Sequence, residues 1–326
     1  MAIPSSPKLD GFDVLQTNFK HVGDHPIRAD ILVPQKPHTG KRPVILRFHG
    51  GGLVFGDSLF MNFWPHWASD LALAHNAIII SPNYRLMPEG TSAQIYEDIE
   101  DFWSWLHSPS LVELLAAHST PTEVDLDRIL TAGESAGGLL SVYLALSHPT
   151  DIRAATVAYP SVDLGPDEFG HPRASPCFGN HIPESVIQAE ESAAKIGTAE
   201  SSITDESRLV YMLAIVEHGT LHGVYERGAE GVPQKVLYPM VKLEEPGLDI
   251  PVGGIAVIHG RQDSVVPIGG VERFVERARE VTRGKAGNEG VVLTVRDGEH
   301  GFDADVRYSE EWLSDTFKFA VDAWVK

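Results

Sequence analysis

Apolar runs of strand length alternate along this chain with longer stretches whose apolar positions have helical spacing. The short runs, rich in β-branched residues, predict strands over 27–33, 43–48, 77–81, 128–132, 154–159, 254–259 and 291–295. The longer stretches predict helices over 64–75, 93–107, 139–146, 271–281 and 312–325. Alternation of this kind predicts an α/β fold with a mostly parallel sheet and helices on both faces.

Residues 163–248 interrupt this alternation. They are rich in Gly, Pro, His and charged residues, and helical spacing is visible only near 184–196 and 204–217. We expect this insertion, together with residues 1–25, to form a cap over the carboxyl edge of the sheet, where ligands bind in such folds. The core domain then comprises 26–162 and 249–326.

A serine flanked by small residues follows the strand predicted at 128–132. The pentapeptide G-E-S-A-G at 133–137 places Ser135 between that strand and a helix, which is the context of a nucleophile elbow. So tight a turn needs small neighbours, because bulk at the flanking positions would collide with the strand or the helix. Ser135 is therefore the candidate nucleophile.

Three glycines follow the strand predicted at 43–48. Gly50, Gly51 and Gly52 come directly after His49 and supply backbone N–H groups free of side chains. Such groups suit an oxyanion hole, to which the N–H of Ala136 adds a donor. His49 itself is expected to shape the loop rather than to transfer protons.

A serine nucleophile needs a base, and the base needs an orienting acid; in α/β-hydrolases these follow the serine in the order acid, then histidine. Asp263 follows the strand predicted at 254–259, and His300 follows the next strand. His259 is a weaker candidate base because it precedes the acid. Asp297 and Glu299 flank the candidate base and are expected to be solvated turn residues.

Other candidate features have simpler explanations. His218 and His222 could share a helix face, but no third metal ligand accompanies them. Cys177 has no basic neighbour in sequence and is expected to be unreactive. An aromatic cluster after the glycine loop predicts either a substrate pocket or core packing, and its members are Phe55, Phe60, Phe63, Trp64 and Trp67.

Composition narrows the class of protein. The chain has 326 residues, of which 43% are hydrophobic, and a formal net charge of −19 with no basic block, which argues against a nucleic-acid partner. A lone cysteine allows no disulfide within the chain. We see no signal-peptide core in 1–11 and no run long enough for a membrane span, so we expect a cytoplasmic protein, monomeric or homodimeric.

The chain resembles the hormone-sensitive-lipase-like carboxylesterases of the α/β-hydrolase superfamily. The resemblance rests on H-G-G-G at 49–52, G-E-S-A-G-G at 133–138 and N-Y-R-L-M-P-E at 83–89. The family usually has D-Y-R-L-A-P-E at the third motif, so Asn83 and Met87 differ from it. The resemblance implies ester hydrolysis in which Ser135 attacks, His300 takes the proton and Asp263 orients the imidazole, with no cofactor and no metal.

We expect the substrates to be small or medium, largely apolar esters, including lactones and esters of secondary metabolites, because a cap disfavours macromolecules. Two alternatives stay open at this point. A non-hydrolytic dehydratase or lyase could use the same oxyanion hole without a stable acyl-enzyme. A receptor-like relative could bind a ligand without turnover, although such relatives lose the catalytic histidine.

Overall fold

The structure is a computed structural model that describes residues 3–326. Its strands are β1 (Phe12–Val22), β2 (His25–Pro34), β3 (Arg42–Phe48), β4 (Ile78–Pro82), β5 (Val124–Glu134), β6 (Ile152–Ala158), β7 (Ile255–Gly260) and β8 (Val292–Arg296). They form one eight-stranded sheet in the order β1-β2-β4-β3-β5-β6-β7-β8. β2 is antiparallel to β1 and to β4, and all other pairs are parallel. The predicted α/β fold with a mostly parallel sheet is confirmed.

The α-helices, in chain order, are α1 (His66–His75), α2 (Ser92–Leu106), α3 (Pro109–Ala116), α4 (Ala136–Ser147), α5 (Pro166–Phe169), α6 (Ser185–Ala193), α7 (Glu206–Glu217), α8 (Leu221–Glu226), α9 (Gln234–Leu237), α10 (Pro239–Lys242), α11 (Ile268–Val281) and α12 (Glu311–Trp324). Short 3₁₀ turns lie at Pro7–Leu9, Cys177–Gly179 and Asn288–Gly290. Within residues 3–326, no helix is both long enough and apolar enough to cross a bilayer.

The sheet has an apolar layer on each face, which explains the continuous apolar runs of its central strands. Alternate residues of β3 point to opposite layers. Val44 and Leu46 join the cluster beneath α2, α4 and the insertion, whereas Ile45 joins the cluster beneath α1 and α12. Every residue of β3 is buried as a result.

The N-terminal segment differs from the expectation that 1–25 belongs to a cap. Phe12–Val22 is an edge strand whose pairing with β2 runs from Phe12 opposite Pro34 to Val22 opposite His25. Its residues are mostly half-buried, because an edge strand contacts the core on one side only. The strand therefore contains polar residues and no continuous apolar run, so the apolar pattern of the sequence does not predict it.

The insertion at 163–248 contains α5 to α10 and contacts the core through a β-bridge between Ile203 and Gly56. Its treatment as a separate cap domain stays a prediction. The carboxyl ends of β3, β5, β7 and β8 meet at one edge of the sheet, as those of parallel strands do. This edge carries the loops that hold the candidate site residues.

Candidate active site

Ser135 lies in the turn between β5 and α4 in a conformation that non-glycine residues rarely adopt. Its backbone dihedrals are φ 55° and ψ −121°. Ser135 N donates to the Ala158 carbonyl at 3.0 Å, and the Ser135 carbonyl accepts from Ser161 N at 3.1 Å. The end of β6 and the residues after it thus hold the strained turn in place.

The glycines around Ser135 are required by close backbone approach. A Cβ at Gly133 would overlap the Gly137 carbonyl, and a Cβ at Gly137 would overlap the Phe48 carbonyl. The strand, the turn and the first helical turn are therefore packed too closely for side chains at both positions. This contact accounts for the G-x-S-x-G spacing.

His300 and Asp263 form a hydrogen-bonded pair across the loops after β8 and β7. His300 Nδ1 donates to Asp263 Oδ2 at 2.8 Å. Asp263 Oδ1 accepts from the N–H groups of Val265 and Val266 at 2.9 and 2.8 Å. The carboxylate is fully buried, whereas the His300 side chain is 14% exposed. A proton held on Nδ1 leaves Nε2 of His300 as the acceptor nitrogen.

His259 contacts the loop that carries Asp263, the candidate acid. Its Nε2 donates to the Val266 carbonyl at 3.0 Å and is 3.4 Å from Asp263 Oδ2. The ring is fully buried, and burial lowers the pKa of His259. His300 lines the cavity that contains Ser135, whereas His259 does not, so His259 remains the weaker candidate base.

Glu299 connects the acid loop to the base loop. Its Oε1 accepts from Ser264 N at 2.6 Å and from His300 N at 2.8 Å. Glu299 is therefore not the solvated turn residue that we expected. Asp297 does fit that description, since it is exposed and pairs with the exposed Arg261.

Tyr159 and Asp303 pack around the candidate base, His300, and the sequence does not predict either of them as a site residue. The Tyr159 ring lies 4.4 Å from the His300 ring, and its hydroxyl donates to Asp303 Oδ1 at 2.7 Å. Asp303 Oδ2 accepts from Trp67 Nε1 at 2.7 Å. Burial raises the pKa of Asp303 and holds the pKa of Tyr159 well above its usual range. The only signal for Tyr159 was its place at the carboxyl end of β6.

The glycine loop lies against the turn that carries Ser135, the candidate nucleophile. A Cβ at Gly50 would be 3.0 Å from the Glu134 carbonyl, and Gly51 has a φ of 108°. Within residues 3–326, the N–H groups of Gly50, Gly51, Gly52 and Ala136 donate to no protein acceptor. Free amides beside a nucleophile suit a developing oxyanion. Gly50 and Gly51 line the cavity that Ser135 and His300 share, the catalytic cavity, whereas Gly52 and Ala136 are not among its lining residues.

His49 supports the glycine loop. Its ring stacks on Tyr84 at 4.3 Å, and its Nδ1 donates to the Gly50 carbonyl at 2.8 Å. Burial lowers the pKa of His49 to about 4. The ring therefore stays neutral at physiological pH, and it does not line the catalytic cavity.

Ser135 and His300 share a cavity of about 320 Å³. Its side-chain walls are mostly apolar and come from the insertion and the surrounding loops, at Phe63, Phe178, Leu209, Met212, Leu213 and Val265. Of the predicted aromatic cluster, Phe63 reaches this cavity and packs edge-on against Phe55 and Phe60. Trp64 and Trp67 are fully buried in the core. The cluster thus combines core packing with one wall of the site.

Glu134 is the charged member of the wall. It accepts two hydrogen bonds from Arg47, at 3.1 Å from Nε and 2.8 Å from Nη2. The Arg47 guanidinium lies 4.1 Å from the centre of the Trp64 ring. Burial outweighs the ion pair and raises the pKa of Glu134 to about 7.

The histidines considered as metal ligands bind backbone carbonyls instead. His218 Nε2 donates to the Ile182 carbonyl at 2.7 Å, and His222 Nδ1 donates to the Leu164 carbonyl at 2.9 Å. In the part of the chain that the structure describes, no group of three or more His, Cys, Asp or Glu side chains could hold a metal ion. Cys177 is buried, which raises the pKa of its thiol to about 11.

One full-length relative decides the family. "Probable carboxylesterase M8" of a Phoma species is 31% identical over 338 residues, which cover 99% of this chain and 100% of that protein. The chain belongs to the hormone-sensitive-lipase-like carboxylesterases. The predicted resemblance is confirmed, and residues 45–195 of this carboxylesterase also match a family model described as the alpha/beta hydrolase fold. It is a carboxylic ester hydrolase.

Two further comparisons place this carboxylesterase among more distant proteins. Non-reducing polyketide synthase Preu6 of Preussia isomera is 26% identical over 337 residues, which cover 96% of this chain and 15% of that synthase. A crystal form of the Pyrobaculum calidifontis esterase superposes with a TM-score of 0.59 at 22% identity, covering 96% of this chain and 86% of that one. At that identity the second likeness shows the fold alone.

Proposed function

We propose that this carboxylesterase hydrolyses small or medium, largely apolar esters through an acyl-enzyme on Ser135. The supporting observation is that His300, oriented by a 2.8 Å hydrogen bond to Asp263, lines the same cavity as Ser135. His300 acts as the base, and Asp263 holds the imidazole in the tautomer whose Nε2 can accept a proton.

In the acylation step, Ser135 Oγ attacks the ester carbonyl carbon while His300 Nε2 takes the hydroxyl proton. The carbonyl oxygen becomes an oxyanion, and in this proposal the N–H groups of Gly50, Gly51, Gly52 and Ala136 stabilise it. Loss of one such donor typically costs about 10²–10³ in kcat. The C–O bond to the alcohol then breaks, and the alcohol leaves with the proton from His300.

In the deacylation step, a water molecule gives a proton to His300 and attacks the acyl carbon. The second tetrahedral intermediate collapses, the acid is released, and the proton returns to Ser135 Oγ. Asp263 stays ionised throughout and stabilises the imidazolium that forms in each step. Tyr159 and Asp303 limit the movement of the His300 ring through the contacts described above.

The cavity supports a substrate of modest size. A volume of about 320 Å³ is at the small end of ligand pockets and its walls are mostly apolar. The likeness to one segment of a polyketide synthase supports an ester or lactone of a secondary metabolite as the natural substrate. A chain-length series of p-nitrophenyl esters, run beside a panel of small lactones, measures the depth of the cavity and the class of ester.

A fluorophosphonate probe tests the nucleophile directly. We expect mass spectrometry to place a single phosphonyl adduct on Ser135 in the wild type, none in Ser135→Ala, and slow labelling in His300→Ala because the hydroxyl loses its base. A folded wild-type protein that stays unlabelled, or that is labelled at another residue, would contradict the proposed mechanism.

A further inference from the structure

A second cavity adjoins the catalytic one and has a different chemical character. It has a volume of about 780 Å³, and Asn62 and Ala304 line both cavities. The walls of this outer cleft come from residues 4–8, from the segment 57–66, from Thr204 of the insertion and from Asp305. The catalytic cavity, or inner chamber, is therefore mostly apolar, whereas the outer cleft has both polar and apolar walls, and the two meet at Asn62 and Ala304.

Several polar groups of the outer cleft are not used by the protein. Within residues 3–326, the side chains of Asn62, Thr204 and Asp305 make no hydrogen bond to another residue. Lys8 Nζ donates once, to the Met61 carbonyl at 2.9 Å, and keeps further N–H groups free. Arg28 binds aspartates through Nε and Nη2, whereas its Nη1 has no protein acceptor in the same range.

The charges of the cleft offset one another. Lys8 and Arg28 are cationic, and Asp57 and Asp305 are anionic. Arg28 pairs with Asp30 through Nε at 2.9 Å and with Asp57 through Nη2 at 2.8 Å, so two carboxylates offset the charge of the guanidinium. The free groups thus include both donors and acceptors without an excess of positive charge. This combination fits a neutral group with several hydroxyls better than a carboxylate or phosphate.

The order of the two chemical steps assigns the parts of the ester to the two chambers. The alcohol leaves while the acyl group is still bound to Ser135, so the alcohol needs the route to solvent. Asn62 and Asp305 are exposed, whereas most of the inner chamber is walled by buried or half-buried residues. The acyl group therefore suits the inner chamber and the alcohol the outer cleft.

We propose that the outer cleft is a binding subsite for a polyhydroxylated alcohol portion of the substrate. This inference rests on the proposed esterase function and adds to it the chemical class of the leaving group. Asn62, Lys8 and Arg28 donate to the alcohol's hydroxyl oxygens, and Asp305 accepts from one of its hydroxyls.

The test compares two butyrates whose alcohols have the same three carbons, glyceryl monobutyrate and n-propyl butyrate. We expect the wild type to hydrolyse the glyceryl ester with at least a ~10-fold higher kcat/KM, which corresponds to one or two net hydrogen bonds. Asn62→Leu and Lys8→Met should each remove most of that preference, measured as the ratio of kcat/KM for the glyceryl ester to kcat/KM for the propyl ester. Lys41→Met, at an exposed lysine whose side chain makes no hydrogen bond within residues 3–326, should change neither substrate.

The outcomes separate this inference from the function on which it rests. Equal kcat/KM for both esters in an active wild type, or an unchanged preference in the Asn62 and Lys8 variants, would overturn the subsite. A preference for n-propyl 3,4-dihydroxybutyrate over n-propyl butyrate, without one for the glyceryl ester, would overturn the assignment of the alcohol to the outer cleft. No turnover of any ester by a folded wild type would overturn the esterase mechanism itself. If Lys8→Met lowers the melting temperature, Asn62→Leu and Thr204→Val decide the matter.

Discussion

The side-chain amide of Asn83 donates a hydrogen bond to the carboxylate of Asp57, with 3.1 Å between Nδ2 and Oδ2. Asn83 Oδ1 accepts from Ser58 N at 2.7 Å, so the amide uses both of its ends. Aspartate at position 83 would put a second carboxylate at hydrogen-bonding distance from Asp57 in a buried site, where the two like charges would repel each other.

Asn83→Asp should therefore destabilise the fold. We expect the free energy of unfolding in urea at pH 7 to fall by about 1–3 kcal/mol, because a donor is lost and a like charge is introduced. Adding Asp57→Asn should recover part of that loss, since a carboxylate and an amide would again face each other. Strictly additive losses in the double-mutant cycle would show that the two side chains do not interact in this way.

Ser135 and His300 should behave as one catalytic unit. Each of Ser135→Ala and His300→Ala is expected to reduce kcat on p-nitrophenyl butyrate by at least ~10⁴-fold, and the double variant should be no worse than either single one. Asp263→Asn should also be severe, because its amide can donate to Nδ1 of His300 and favour the wrong tautomer. Losses that multiply in the Ser135–His300 double variant would mean that the two residues act independently.

Glu299 should matter for kcat through its two backbone contacts. Glu299→Ala leaves the N–H groups of Ser264 and His300 without their acceptor, so we expect about a 10-fold to 100-fold lower kcat with little change in KM, by loosening of the base. Glu299→Gln retains an oxygen acceptor and should recover most of the activity. Asp297→Ala, two residues earlier in the same turn, is the matched control and should resemble the wild type. Equal effects of the two alanine variants would contradict this positioning role.

The residues of the candidate site that could be predicted from the sequence all follow predicted strands. Chain order and strand ends are local properties, so the sequence predicts Ser135, Asp263 and His300 as site residues without any knowledge of contacts between them. The sequence predicts the glycine loop for the same reason. The geometry of this loop requires small residues, and the three consecutive glycines in the sequence show that requirement directly.

The residues that the sequence did not reveal act through contacts between distant parts of the chain. Asp303 accepts a hydrogen bond from Trp67, and Glu299 accepts one from Ser264. The residues next to Asp303 and Glu299 in the sequence give no indication of these contacts. The apolar pattern does not predict β1, because an edge strand is partly exposed to solvent and lacks a continuous apolar run.

His49 should make stability depend on acidity. Burial lowers its folded-state pKa to about 4, below the usual histidine pKa of about 6.5, so the unfolded chain binds the proton first as pH falls. This contribution to stability is complete above pH 6.5 and is lost progressively down to pH 4, reaching about 2 kcal/mol of loss at pH 5. We expect His49→Asn, whose amide can replace the Nδ1 donor, to remove that part of the loss. Urea unfolding of both proteins at pH 7 and pH 5 measures it, and parallel losses in the two proteins would refute the prediction.

Gly137 should tolerate no side chain, because a Cβ there would overlap the carbonyl oxygen of Phe48 and lie close to that of His49. Both carbonyl oxygens are backbone atoms, at the end of β3 and in the glycine loop. The steric overlap can therefore be relieved only if the turn that carries Ser135 moves. We expect Gly137→Ala to lower the free energy of unfolding by at least about 3 kcal/mol and to abolish fluorophosphonate labelling of Ser135. Gly223→Ala in α8 is the matched control: nothing lies within 4 Å of its Cβ, so labelling should be unchanged and stability should rise by up to about 1 kcal/mol. Wild-type labelling in the Gly137 variant would show that the loop yields more easily than its contacts imply.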